Sequence, residues 1–273
     1  MPADPRSPRL AVLIDADNTS PRIADGLFDE IAKIGEASVR RIYGDFSSTR
    51  LRAWADVIPK YAIIPHQNFA NTVGKNASDI ALVIDAMDLL HSGRLDGFCL
   101  VSSDSDFTRL ASRIREQGID VYGFGAQKTP GSFRQACRRF IFTENLMPGA
   151  VEPDPEMPSV PRTHQSPSAA VPFLRKVMAQ MENDDGWVGL GGLGRRIGNL
   201  APDFDERTYG HSKLSDLVQA TGAFEIDRSG GGLRIRLKPE PRPQSPAPKT
   251  ERPCGRPPGR HHRRPKPAAD QVS

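Results

Sequence analysis

Apolar segments alternate with helix-like segments between Leu10 and Met147, and this alternation constrains the fold more than any other feature of the sequence. The predicted strands are residues 10–14, 39–44, 61–65, 97–102, 121–125 and 140–143. The predicted helices are residues 21–34, 49–58, 77–91, 105–117 and 131–138. Strands separated by helices at this spacing form parallel sheets that carry helices on both faces. The sequence therefore predicts an α/β domain over residues 8–147.

The rest of the chain divides into three segments of different composition. Residues 148–168 are rich in proline and lack periodicity, which predicts a linker. Residues 169–238 contain helical patterns followed by FEI and LRIRL on either side of a glycine-rich turn. Helices followed by such a β-hairpin indicate a small winged-helix domain. Residues 239–273 are rich in proline and arginine, and we expect them to be disordered.

Charge and cysteine content narrow the classes of protein to consider. The segment 239–273 holds eight Lys/Arg and three Asp/Glu, so its net charge of +5 exceeds the +4 of the whole chain. Such a tail is typical both of polyanion-binding proteins and of solubilising termini, and the sequence does not separate the two. No apolar run approaches the ~20 residues that span a bilayer, and the first residues lack the apolar core of a signal peptide. We therefore expect no membrane partner. Three widely spaced cysteines form no CxxC pair, which predicts a reducing, cytoplasmic setting.

Acidic side chains follow two of the predicted strands directly. Asp15 and Asp17 follow the first strand in LIDADN, and Asp104 and Asp106 follow the fourth in LVSSDSD. Ligands of open parallel sheets bind beyond the carboxyl ends of the strands. If the first and fourth strands are neighbours, these four carboxylates gather at one edge of the sheet. The alternative is that they only cap helices, because Asp and Ser are preferred N-cap residues.

A fifth carboxylate, Asp79, lies in the first turn of the predicted helix 77–91, where the helix dipole favours negative charge. That helix is apolar on most faces, so we expect it to be buried. Asp85 and Asp88 lie about two turns further on and on a different face, and they are not assigned to the site. Clustered carboxylates repel one another unless a cation lies among them, and hard oxygen ligands favour Mg²⁺ or Mn²⁺. Such ions can activate water for phosphodiester hydrolysis.

Four motifs, in this order, resemble the NYN domain of the LabA-like type, a branch of the PIN-like nucleases. They are LIDADN, GKNASDIALVIDAMDLL, GFCLVSSDSDFTRLASRIREQGIDVYGFG and TPGSFRQACRRFIF. The resemblance covers about residues 8–145 and implies a three-layer α/β/α fold and a metal-dependent ribonuclease that leaves 5′-phosphates. The catalytic and metal-binding residues that it implies are Asp15, Asp79, Asp104 and Asp106. Asp17 is added to the metal set, and Asn18 and Ser102 are predicted to support it.

Residues 169–238 resemble the LOTUS (OST-HTH) domain, on the basis of Trp187, YGHSKLSDLV and the final hairpin. Such domains are winged helices that bind RNA, and some bind a protein partner instead. The run GWVGLGGLGRRIG is not a phosphate-binding loop, because no strand precedes it and the Walker lysine is missing. Its glycines weaken helix formation, which leaves the start of the second helix open. The predicted RNA-binding residues of the whole chain are Lys75, Arg109, Arg134, Arg138, His211, Lys213, Arg234 and Arg236.

Three functions are compatible with these patterns. The first is a Mg²⁺- or Mn²⁺-dependent ribonuclease with an RNA-binding module at its carboxyl side. The second is a non-catalytic RNA-binding or regulatory adaptor that retains the nuclease fold. The third is a phosphatase, because LIDADNT resembles the DxDxT motif of haloacid-dehalogenase-like enzymes, with Asp15 as nucleophile and Asp17 as acid. The serine–aspartate run SSDSD stands where that family has a lone Ser or Thr, which disfavours the third function.

Overall fold

The computed structural model describes residues 7–68, 77–147, 164–181, 185–228 and 232–238. The predicted linker lies mostly, and the predicted tail entirely, outside these described residues. No helix among the described residues is both long enough and apolar enough to cross a bilayer.

Strands and helices alternate in the first domain, as the sequence predicts. The strands of the first domain are β1 (Arg9–Asp15), β2 (Glu36–Gly44), β3 (Ile64–Gln67), β4 (Gly97–Val101), β5 (Asp120–Gly125) and β6 (Arg139–Phe142). Its helices are α1 (Ala24–Ala32), α2 (Val57–Lys60), α3 (Ala77–His91), α4 (Thr108–Glu116) and α5 (Gly131–Ala136). Short 3-10 turns precede or connect several of these helices, at Pro21–Ile23, Thr49–Trp54, Ser105–Phe107 and Thr143–Leu146.

In the described part of this domain the strands form one six-stranded sheet in the order β3-β2-β1-β4-β5-β6. All of its strand pairs are parallel. Strand β1 lies between β2 and β4, so the first and fourth strands are neighbours, as the acidic site requires. The order reverses direction at β1, and this reversal is where open α/β sheets bind their ligands.

The side chains of β1 explain why the sheet has helices on both faces. Val12 and Ile14 pack into a cluster with Leu27 of α1, whereas Leu13 packs into a second cluster with Leu82 of α3. Alternate residues of a strand point to opposite faces, so a run that is apolar at every position is buried on both. The result is a three-layer α/β/α domain with the PIN-like architecture that the sequence predicts.

The second domain is a winged helix. Its helices are α6 (Val171–Met178), α7 (Leu190–Leu200) and α8 (Leu214–Thr221), and its strands are β7 (Val188–Gly189), β8 (Phe224–Asp227) and β9 (Arg234–Leu237). Strands β8 and β9 form the predicted antiparallel hairpin, and the two-residue β7 adds to its other edge. Helix α7 includes the glycine run because Leu193 and Ile197 anchor it in the core.

The two domains contact each other through charged and backbone groups. Glu30 of α1 is 3 % exposed and accepts hydrogen bonds from Arg207 at 3.1 Å and Arg139 at 3.2 Å. Arg207 also contacts both carboxylate oxygens of Asp205. The backbone N–H of Phe140 in the edge strand β6 donates to the carbonyl of Pro202 at 2.8 Å. These contacts fix the winged helix against α1 and β6.

Several details differ from the sequence-based prediction. Strand β2 begins at Glu36 rather than at residue 39, and the predicted helix 49–58 is a 3-10 turn followed by the single-turn α2. The two-residue strand β7 precedes the glycine run, where the sequence predicted no strand. The third strand begins at Ile64 rather than at residue 61, because the chain closes α2 in a turn and Ala62 adopts a positive φ of 50°. Helix α3 is not buried on all sides: Ile80 and Ile84 are 61 % and 58 % exposed, whereas Leu82 and Ala86 face the sheet. An apolar residue on an exposed helix face gives the same sequence signal as one in a core, so composition alone overestimated the burial.

Candidate active site

Asp15 ends the central strand β1 and is only 1 % exposed. Its Oδ1 accepts hydrogen bonds from the backbone N–H groups of Asp17 at 3.1 Å and Asn18 at 3.3 Å. Its Oδ2 accepts from Asn18 Nδ2 at 2.8 Å and from the Ser102 hydroxyl at 2.7 Å. Burial raises the pKa of Asp15 above its ordinary value, and the hydrogen bonds from Ser102 and Asn18 act in the opposite direction. The structure thus holds this carboxylate in one fixed orientation.

Ser102 joins the end of β1 to the end of β4. While its hydroxyl donates to Asp15, its Oγ accepts the backbone N–H of Asp104 at 3.1 Å. Asp104 in turn accepts the backbone N–H of Asp106 through Oδ1 at 2.9 Å and caps the 3-10 turn Ser105–Phe107 that leads into α4. Asp104 therefore caps a helical turn and also belongs to the acidic cluster. Its Oδ1 makes the capping hydrogen bond, and this does not involve its Oδ2.

Asp79 lies in the first turn of α3. Burial is the largest cause of a pKa of about 6, and the negative charges of the four other predicted aspartates raise it further. The four aspartates that act on Asp79 are Asp15, Asp104, Asp17 and Asp106. Carboxylates from the end of β1 and from the end of β4 thus lie within electrostatic range of Asp79 on α3.

The chemistry of this cluster fits a hard divalent cation. Among the described residues, no three Asp, Glu, His or Cys side chains lie close enough together to hold one metal ion. The donor set nevertheless consists of carboxylate oxygens and the Asn18 amide, which are ligands that Mg²⁺ and Mn²⁺ accept. Burial and, after it, the charges of the four other aspartates raise the pKa of Asp79, and a bound cation would act in the opposite direction. Asp15 is the least available ligand, because its two oxygens already accept four hydrogen bonds.

The predicted basic residues of the first domain lie in different places. Arg109 is exposed on α4, three positions after Asp106 and thus beside the cluster. Arg134 forms an ion pair with Asp203 of the winged helix. Lys75 lies outside the described residues.

Arg138 precedes β6 and forms an ion pair with Asp120, the first residue of β5. Because β5 and β6 run parallel to β4, this is the amino end of the sheet. The structure therefore places Arg138 at the edge opposite the acidic cluster, whereas Arg109 lies one turn of helix after Asp106.

The predicted RNA-binding arginines of the winged helix share one face of the hairpin. The guanidinium of Arg234 lies 5.8 Å from the centre of the Trp187 ring and donates a hydrogen bond of 2.6 Å to Asp227. The guanidinium of Arg236 lies 4.8 Å from the centre of the same ring and donates a hydrogen bond of 2.6 Å to Glu225. The indole thus aligns both arginines, a role that the spacing of charges does not reveal.

The two other predicted contacts of this domain lie at and just before the start of α8. His211 is half-buried, and Lys213 is exposed at the N-cap position of the helix. They belong to the stretch between the turn at Gly210 and the helix, whereas Arg234 and Arg236 belong to the hairpin.

A parallel sheet between helical layers, with aspartates gathered where its strand order reverses, defines a PIN-like α/β/α domain. Residues 9–145 match the family model of the NYN domain, and residues 163–235 match that of the OST-HTH/LOTUS domain. The chain belongs to the NYN domain family and carries an OST-HTH/LOTUS domain after it. It therefore joins a domain of a nuclease family to a domain of an RNA-binding family.

Comparison with individual proteins adds little to this assignment. No curated protein matched the chain. A Vibrio parahaemolyticus protein of unknown function is 16 % identical, with 50 % of this chain and 93 % of that chain covered and a TM-score of 0.43. An uncharacterized Nitrosomonas europaea protein is 35 % identical, with 34 % of this chain and 93 % of that chain covered and a TM-score of 0.27. With TM-scores below 0.5, neither similarity supports a conclusion about fold or function.

Proposed function

We propose that the chain is a Mg²⁺- or Mn²⁺-dependent ribonuclease that hydrolyses phosphodiester bonds of RNA. The observation that carries this proposal is the convergence of five aspartates from β1, α3 and the end of β4 around Asp79. A protein that only binds RNA gains nothing from negative charge where the phosphate docks. Asp15, Asp17, Asp79, Asp104 and Asp106 are the proposed metal ligands. When bound, the divalent ion supplies an activated water and stabilises negative charge on the departing oxygen.

The residues around the cluster have distinct proposed roles. Ser102 and Asn18 orient Asp15 by hydrogen bonding, so that its position does not depend on substrate. Asp104 and Asp106 leave the end of β4 on a 3-10 turn whose backbone Asp104 itself caps. Arg109 provides a positive charge beside the cluster for a phosphate of the RNA backbone.

The winged helix is proposed to hold the substrate RNA. Arg234 and Arg236 on the hairpin, with His211 and Lys213 near α8, are its proposed contacts. Arg134 and Lys75 remain proposed contacts of the first domain. Arg138 is not among them, because it pairs with Asp120 at the edge of the sheet opposite the acidic cluster. A protein partner of this winged helix and a cytoplasmic location also stay proposals from the sequence.

The phosphatase hypothesis fits the structure poorly. It requires Asp15 to attack a phosphate through one of its oxygens. Both oxygens accept two hydrogen bonds each, and the side chain is almost fully buried. A carboxylate whose two oxygens accept four hydrogen bonds is a poor nucleophile.

The ribonuclease proposal is tested with a labelled single-stranded RNA in the presence of Mn²⁺. We expect cleavage by the wild-type chain, loss of cleavage on chelation, and a decrease of about 100-fold or more in Asp79→Asn and in Asp104→Asn. Asp88→Asn is the matched control, because Asp88 is an exposed carboxylate of the same helix as Asp79. RNA binding without cleavage under any divalent ion would instead favour the non-catalytic adaptor.

A further inference from the structure

A cavity of about 420 Å³ opens beside the acidic cluster, on the side of β2 and β3. Its walls come from the segment after β2 that includes the 3-10 turn Thr49–Trp54, and from the start of β3. Its volume lies within the range of about 300–1,000 Å³ that is usual for small-ligand sites. No residue of the acidic cluster lines it.

Gly44 lies between Leu51, which lines the cavity, and Asp17 of the acidic cluster. Tyr43 pairs with Asp15 in the sheet register, and Gly44 pairs with Gln67, so all of them lie at the carboxyl edge. A Cβ on Gly44 would lie 2.6 Å from Cδ1 of Leu51, which lines the cavity, and 4.0 Å from Oδ2 of Asp17. Neighbouring strands are about 4.8 Å apart. The cavity therefore begins about one strand spacing from Asp17, the member of the acidic cluster nearest to Gly44.

The rim of the cavity is held by a hydrogen-bond network rather than left loose. Oε1 of Gln67 accepts the backbone N–H of Phe46 at 3.0 Å, and its Nε2 donates to Asp45 Oδ1 at 2.8 Å. Asp45 Oδ1 also accepts the backbone N–H of Ser47 at 3.1 Å. Gln67 thus ties the segment after β2 to the end of β3. A rim fixed in advance lowers the ordering cost of binding.

The lining combines an apolar wall with hydroxyl groups and one cation. Phe46, Ile58 and Pro65 provide the apolar wall, and Thr49 provides a hydroxyl group at the exposed mouth. Arg52 is exposed at the mouth and has no ion pair among the residues that the structure describes. An aromatic ring, hydroxyl groups and an unpaired cation are the groups that contact base, ribose and phosphate in proteins that bind single-stranded nucleic acid.

We propose that this cavity binds one nucleotide of single-stranded RNA, next to the phosphodiester that faces the acidic cluster. The base packs against Phe46 and the apolar wall, the ribose faces the hydroxyl groups, and Arg52 contacts a phosphate. The proposal rests on the proposed ribonuclease function, because that function places the RNA backbone at the carboxylates. In this proposal the cavity positions the RNA strand for cleavage.

Two alanines of the same short segment provide a matched pair of variants. Ala55 lines the cavity, whereas Ala53 lies in the neighbouring 3-10 turn and does not, and both are exposed. Ala55→Trp fills the cavity without removing a polar group. Ala53→Trp adds the same side chain outside it. Thermal unfolding of both variants shows whether they fold, and Thr49→Tyr replaces Ala55→Trp if the latter does not.

The full-length chain and the variants are irradiated with single-stranded RNA that carries 4-thiouridine, and the cross-linked peptides are identified by mass spectrometry. We expect a cross-link within residues 46–55 in wild type and in Ala53→Trp, and its loss in Ala55→Trp. The KM for RNA cleavage is expected to rise about tenfold in Ala55→Trp and to change less than twofold in Ala53→Trp. Arg52→Gln should flatten the dependence of log Kd on log salt concentration by about 0.7.

The outcomes separate this proposal from the ribonuclease proposal. A cross-link at residues 46–55 in a chain that does not cleave RNA supports the nucleotide site and rejects the ribonuclease. Cleavage that proceeds with the same KM and the same cross-links in Ala55→Trp as in wild type rejects the nucleotide site and leaves the ribonuclease intact. Cross-links confined to the winged helix also reject the nucleotide site.

Discussion

The Ser102 hydroxyl donates a hydrogen bond of 2.7 Å to Asp15, although the two residues lie 87 positions apart in the sequence. Both are buried at the carboxyl ends of neighbouring strands, and the same hydroxyl oxygen accepts the backbone N–H of Asp104. One serine thus fixes the relative positions of the two acidic strand ends. The relative position of Asp15 and Asp104 is therefore set by the register of β1 and β4.

Ser102→Ala should lower the free energy of unfolding by about 2 kcal/mol, because it removes a hydrogen bond to a buried charged group. It should also raise the pKa of Asp15 further, since that hydrogen bond favours the charged carboxylate. Urea unfolding measures the first effect. The control is Ser105→Ala, at an exposed serine three positions away, which should change stability by less than about 0.5 kcal/mol. Equal effects of the two substitutions would contradict the role assigned to Ser102.

Asp79 should make the metal-free protein less stable as the pH rises from about 4 to about 6. Its pKa is raised to about 6 from the ordinary 3.8, so between these values the folded state binds more protons than the unfolded state. The stabilisation is complete below pH 4 and is lost as pH passes through the folded pKa. Asp79→Asn should flatten this decline and should unfold at a higher temperature than wild type at pH 7 in chelator. Thermal unfolding from pH 4 to 8 tests this, with Asp88→Asn expected to follow wild type.

The neighbouring strand ends and the acidic cluster could be predicted from the sequence. Unbroken apolar runs reveal buried parallel strands, and an aspartate directly after such a run must lie at the carboxyl edge. Asp79 could be assigned to the acidic site because it lies in the first turn of a helix that follows a strand. These are local signals, and the structure confirms the fold that they imply.

Other features could not be predicted because they depend on tertiary contacts between polar residues. Glu30 is buried and pairs with Arg207 and with the exposed Arg139, yet in the sequence each of the three resembles an ordinary surface residue. Ion pairing across domains has no periodicity. The ion pair of Arg138 with Asp120 could not be predicted either, because it depends on the end of the sheet at which Arg138 lies.

Arg207→Met should destabilise the folded chain by about 3 kcal/mol, because Glu30 and Asp205 are 3 % and 5 % exposed and would lose their shared partner. The substitution should also release the winged helix from the first domain, which small-angle X-ray scattering would detect as an increased radius of gyration. Arg195→Met, at an exposed arginine of α7, is the matched control. If both variants keep the wild-type stability and radius, the charged contact does not hold the domains together.

Arg109 and Arg138 should differ in their effect on RNA binding. Arg109 is exposed beside the acidic cluster, whereas Arg138 pairs with Asp120 at the other edge of the sheet. We expect Arg109→Gln to raise the Kd for single-stranded RNA severalfold and to flatten its salt dependence by about 0.7. Arg138→Gln should change the Kd less than twofold. Fluorescence anisotropy at several salt concentrations measures both, and a larger effect at Arg138 would show that RNA follows another path.

Gly198 and Gly222 should respond in opposite directions to the same substitution. A Cβ built at either position has no neighbouring atom within 4 Å, so steric clashes do not explain a difference between the two substitutions. Gly198 lies inside α7, where alanine is favoured over glycine by up to about 1 kcal/mol. Gly222 ends α8 with a φ of 65°, a left-handed conformation that costs alanine about 1 kcal/mol or more. Urea unfolding should therefore show Gly198→Ala more stable than wild type and Gly222→Ala less stable. If both variants shift in the same direction, the effect of alanine on stability at these two positions does not depend on backbone conformation.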